Sequence, residues 1–166
     1  MDQRSGVSAR FAIAAAETVA ASARHRGAVL GEPDPVARVV DLGTIVDVLR
    51  GKLEFESGEE GREQAVLEHL LRRATADTAS RALGGVDVGP LVAAIEKGSP
   101  VTTGERVPAK DVLAALPGLP VIDAITKRLG AHSDGQRAAA VELALEGLYL
   151  AKRIDKSSDD GETVYG

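Results

Sequence analysis

Among the side chains of this sequence that could do chemistry, Arg10 has the most telling position. It stands at the start of a helical run, QRSGVSARFAIAAAETVAASARHRG, at residues 3–27. Basic side chains are better placed at the other end of a helix, where the dipole is negative. That end already holds Arg24, His25 and Arg26, just before Gly27. A helix N-terminus leaves backbone N–H groups unpaired and attracts phosphate. An arginine in the first turn adds a permanent, forked cation to the same spot. The chemistry this suits is sensing a terminal phosphate. The competing reading is a surface arginine paired with Glu17 or another carboxylate.

The remaining candidates are weaker. His25, His69 and His132 are scattered, and none has a second ligand at metal spacing such as H-E-x-x-H. Thr102 and Thr103 have no base nearby in sequence. The acids within residues 54–63 lack the spacing of a calcium loop and read as a solvated surface leading into the next helix. There is no G-x-x-x-x-G-K-[ST] phosphate loop, no G-x-G-x-x-G and no G-x-S-x-G elbow. As a standalone enzyme the chain lacks a catalytic constellation.

The bulk composition bounds the rest. The 166 residues suit one domain or one lobe of a larger protein. Hydrophobic residues make up 44%, yet there are only two Phe, two Tyr and no Trp, so the core must be built from Ala, Val, Leu and Ile. That favours helices packed closely through small residues. A net charge of -5 gives no basic footprint for nucleic acid, and a helix-turn-helix reading fails on the same ground. The absence of cysteine fits a reducing compartment. No stretch approaches a membrane span and the N-terminus has no signal-peptide pattern, so a cytoplasmic location is expected.

The elements that must position Arg10 follow from periodicity and punctuation. A first helix is expected over residues 7–26, capped by Ser5 or Ser8 and stopped by Gly27, with Phe11, Ala15, Val19 and Ala23 inward. A turn at 31–35 leads to a helical run at 36–49, which Gly43 divides and Gly51 closes. A third helix is expected over 59–83, burying Leu67, Leu70, Leu71, Ala74 and Thr78. A fourth starts near 87–90 and ends at Gly98. Residues 99–109 are irregular, with a small hairpin pairing 101–103 with Arg106 and Val107 as an option. Short helices follow at 109–116 and from Pro120 to Gly130. Ser133 and Gln136 form a capping box for a last, central helix over 134–154. Residues 156–166 read as a polar tail. The expected fold is all-α, with six to eight helices: a lid-like region at 1–85, a helical extension at 86–155, then the tail.

Several stretches resemble one family. SGVSARF at residues 5–11 resembles the segment opening the C-terminal helical lid of bacterial AAA+ ATPases related to the magnesium chelatase I subunit and MoxR. LGTIVDVLRGKLEFESGEEGR at 42–62, HLLRRA at 69–74 and TVYG at 163–166 resemble its actinobacterial magnesium-chelatase-like branch. The resemblance spans nearly the whole chain. It implies that Arg10 is the sensor 2 residue, meeting the γ-phosphate of ATP, with Gly6, Val7 and Ser8 beside the nucleotide. It implies ATP and Mg²⁺ in the parent protein, an upstream AAA+ core that carries the Walker motifs, and a ring oligomer. It further implies a partner such as a co-chelatase subunit or a protein with an integrin-like domain. The alternative is a helical protein–protein interaction module with no nucleotide role, using the acidic loop or an apolar groove.

Overall fold

A computed structural model describes residues 9–50 and 61–166. Ser5, Ser8, Gly51 and residues 52–60 lie outside the described residues, while Gly61 and Arg62 are described and precede the third helix, which begins at Glu63 rather than at 59. Among these residues seven α-helices and three short strands form: α1 (Ala9–Leu30), α2 (Thr44–Arg50), α3 (Glu63–Ala82), α4 (Gly89–Glu96), β1 (Val101–Gly104), α5 (Ala109–Ala114), α6 (Pro120–Leu129), α7 (Asp134–Leu150), β2 (Lys156–Asp159) and β3 (Glu162–Tyr165). A 3-10 turn, Val39–Gly43, precedes α2. The fold is therefore mostly helical but not all-α.

The sheet is the main correction. Residues 156–166 are not a bare polar tail, because Asp160 and Gly161 take φ of 43° and 78° and turn β2 back onto β3. Two positive φ values in a two-residue loop match the twist of paired strands. β1 then pairs antiparallel with β3, Val101 opposite Tyr165, rather than with residues 106 and 107. The order is β1-β3-β2. Gly104 is required there: a Cβ would lie 2.4 Å from the Gly161 carbonyl oxygen.

Helix ends mostly follow the punctuation. Gly130 takes φ of 64° at the end of α6, and the Ser133 hydroxyl accepts from the Gln136 N–H while Gln136 Oε1 accepts from the Ser133 N–H. Gly27 does not stop α1. The helix runs on to Leu30, and Gly31 at φ of 68° ends it. Gly27 is instead buried against Pro35, whose Cβ would sit 2.5 Å from a side chain at that position. In α3 the inward row is Leu67, Leu71, Thr75 and Ala79; Leu70, Ala74 and Thr78 face outward. Four-residue steps fit because α3 lies along α7, where Gly147 admits the Ala79 methyl.

Two apolar clusters result. The larger has eighteen buried residues from α4 to β3, centred on Val141, Ala144, Leu145 and Leu148 of α7. The smaller has three, Val46, Leu49 and Leu67, with Phe11, Ala15, Ile45 and Leu71 packed around them. At about 1.5–3 kcal/mol per fully buried aliphatic side chain, the larger cluster dominates stability.

Candidate functional site

Arg10 lies at the beginning of α1 and is exposed. Arg10 and Glu17 form no ion pair among the described residues. Ala9, Ala12, Ile13, Ala16 and Ala20 are exposed along the same half of the helix, Ile13 by 57%. No residue from 9 to 22 is fully buried; the buried residues of α1 are Ala23, Arg26 and Gly27. Gly6, Val7 and Ser8 fall outside the described residues.

The C-terminal part of α1 enters a buried charged network that periodicity did not disclose. Arg26, 4% exposed, donates from Nη2 to Asp41 Oδ2 at 3.0 Å and to the Val36 carbonyl at 2.6 Å, and from Nη1 to Glu32 Oε2 at 3.0 Å. Asp41 also accepts from the Ser22 hydroxyl at 2.8 Å and from the Arg38 backbone N–H at 2.8 Å. The other oxygen of Glu32 accepts from the Ala109 N–H at 2.7 Å, which ties the network to α5. Arg38 is also buried. Its Nη1 donates to the Val107 carbonyl at 2.7 Å, and its Nε and Nη2 both donate to Glu142 Oε1 on α7.

Glu142 Oε2 has no hydrogen-bond partner among the described residues. Burial pushes the Glu142 carboxyl above its usual range, and the Arg38 guanidinium pulls it back. The rise wins because burial penalises the charged carboxylate more than the Arg38 guanidinium favours it. One turn further along α7, Glu146 Oε2 accepts from the Tyr165 hydroxyl at 2.6 Å and from Lys156 Nζ at 2.7 Å. Lys156 Nζ also lies over the Tyr149 and Tyr165 rings, 5.2 and 5.6 Å from their centroids. Burial, then the neighbouring Glu146, push the Tyr165 phenol well above its ordinary value. These carboxylates act as hydrogen-bond acceptors that fasten elements together.

The histidines stay apart: His25 on α1, His69 on α3 and His132 before α7 are each exposed. Among the described residues no three His, Asp or Glu side chains are grouped to hold a metal. A cleft of about 520 Å³ opens beside the network, lined by Thr18, Ser22, His25 and Arg106. Its hydroxyls are spent internally, Thr18 on the Ala14 carbonyl and Ser22 on Asp41. No helix is long and apolar enough to cross a membrane among the described residues.

A sequence signal for the network existed only in part. Arg26 and Arg38 flank the turn at 31–35, but an arginine read from sequence is solvated by default. Glu142 sits amid Ala138, Val141, Ala144 and Leu145, a charge inside an apolar run, and that was the available hint. No protein family, no characterised protein and no solved structure matches the chain.

Proposed function

We propose that this chain is the C-terminal lid of a AAA+ ATPase of the magnesium-chelatase-like type, with Arg10 as its γ-phosphate sensor. The observation that supports it is the placement of Arg10: an exposed guanidinium in the first described turn of a long helix, beside an exposed face of small residues. A guanidinium offers donors only, in a fork that suits phosphate oxygens. The exposed alanines of α1 allow another domain's backbone to come close. The residue blocks that resemble the family add to this reading.

The donor set fits one contact to a nucleotide and no more. The 166 residues contain no phosphate-cradling loop, so ATP and its Mg²⁺ belong to the parent's core. When bound there, ATP supplies the phosphoryl chemistry. Arg10 orients the lid toward the phosphate charge, and the helices behind it carry that orientation to the partner surface. Ring assembly, a cytoplasmic setting and a co-chelatase or integrin-like-domain partner are parts of the same proposal. Whether the parent loads magnesium into a porphyrin or remodels another protein is a matter of its partner, which fold-level analogy does not choose.

The test is Arg10→Ala in the full-length parent, with steady-state ATPase rates and ATP and ADP affinities. The expected outcome is a loss of roughly tenfold to a hundredfold in ATP response, smaller than the 10³–10⁵ of a transition-state finger. ADP affinity should change little, and Arg10→Lys should restore only part. Unchanged turnover and an unchanged ATP-to-ADP affinity ratio would remove the sensor role and leave the interaction module as the reading.

A further inference from the structure

The two ends of α1 are held very differently. From residue 22 onward the helix is fastened by side-chain bonds. Ser22 and Arg26 reach Asp41, Arg26 also reaches Glu32 and the Val36 carbonyl, and Gly27 lies flush against Pro35. Through Glu32 and the Ala109 N–H that anchorage reaches α5, and through Asp41, Arg38 and Glu142 it reaches α7. Before residue 22 no residue is fully buried, and the helix rests on the small cluster through Phe11 and Ala15. The small cluster and the large one share no buried residue.

We infer that α1 is a lever pinned at Arg26, whose Ala9–Ala20 half moves with α2 and the first half of α3 as a unit less stable than the α4–α7 core. The arm from Arg10 to Arg26 is sixteen residues, about 24 Å at 1.5 Å per residue. Local opening follows the number of buried apolar contacts, and among the described residues the unit at the free end has few. The pin differs in kind. The charge-assisted Arg26–Asp41 bond is buried on both sides and the Arg26–Glu32 bond partly so; such bonds hold one geometry, so a rotation of the arm is delivered to Glu32 and Asp41 rather than lost in a soft joint. The two contacts beyond them, the Ala109 N–H at the start of α5 and Glu142 in the middle of α7, are where that rotation enters the core.

This inference deepens the sensor reading, since it makes Arg10 the moving end and α5 and α7 the receiving elements. Its test uses no nucleotide and so succeeds or fails separately. The experiment is native-state hydrogen exchange on the 166-residue chain, resolved by peptide. Residues 9–20, 44–50 and 63–71 should share one opening, with protection at least about tenfold below that of residues 121–126 and 138–148. Asp41→Asn and Glu32→Gln should accelerate exchange over residues 22–42, leaving 121–126 unchanged. Should Asp41→Asn fail to fold, Glu32→Gln carries the comparison, because its amide oxygen still accepts from Ala109 while the charge pair with Arg26 is lost. Equal protection of 9–20 and 138–148 would overturn the lever. So would a uniform acceleration throughout the chain in Glu32→Gln, since that would make the network an ordinary part of one cooperative core.

Discussion

Removing the Arg38–Glu142 pair one side at a time should give asymmetric results, and the asymmetry can be worked from the geometry. Glu142→Leu leaves the Arg38 guanidinium, 1% exposed, with the Val107 backbone carbonyl as its remaining acceptor among the described residues. Arginine cannot shed its proton, so the cost should be about 3–5 kcal/mol. Arg38→Met leaves Glu142, which can take a proton and become neutral. Its folded-state value already lies above the usual one, and Arg38 is what opposes the rise. A carboxyl raised on folding stabilises most below its unfolded value, and that contribution is lost as pH rises through the folded value. The deficit of Arg38→Met should therefore be smaller at about pH 5 than at about pH 8, since losing Arg38 raises the Glu142 carboxyl further. The deficit of Glu142→Leu should instead grow as pH falls, because the parent keeps a carboxyl whose raised value adds stability at acid pH and leucine has none. The double variant Arg38→Met/Glu142→Leu should lie within about 1–2 kcal/mol of the parent, since it also removes the bare Oε2. Urea unfolding followed by circular dichroism, at both pH values, measures all four corners of the cycle. Single variants that each cost less than about 1 kcal/mol would refute the reasoning, as would an Arg38→Met deficit that does not move with pH.

Two further outcomes follow from particular contacts. Gly147→Val should destabilise by about 1–3 kcal/mol in the same assay, because even a Cβ there lies 2.7 Å from the Ala79 methyl and drives α3 off α7. Tyr165→Phe should cost about 1–3 kcal/mol, since it strips a 2.6 Å donor from the buried Glu146 and leaves Lys156 as its side-chain partner. Chemical-shift changes confined to β3, β2 and α7 would accompany it.

Local chemistry accounts for what was legible in the sequence. Gly130 after a basic turn, Pro120 at a helix start and the Ser133–Gln136 box mark ends that depend on nearest neighbours, and the structure has them where the sequence does. The same holds for the division at Gly43 between the 3-10 turn and α2. The β2–β3 turn was missed: Asp160-Gly161 carries a hairpin signal, but the polar residues around it made 156–166 read as a tail. Arg10 falls in the first described turn of α1, whereas its role rests on what approaches from outside this chain.

Tertiary structure decided the rest. Gly27 reads as a stop signal, but Pro35 needed the space of a missing side chain, and the helix ran on to Gly31. The inward row of α3 was set by the gap at Gly147 on a helix more than sixty residues away in sequence, not by which of its residues are most apolar. Arg38 and Glu142 are 104 positions apart, and each looks like a solvated charge until folding brings the other beside it. Periodicity ranks a residue by its own transfer energy. A buried ion pair reverses that ranking because desolvation is offset only by a partner at contact distance, and contact distance across the chain is a property of the packed fold.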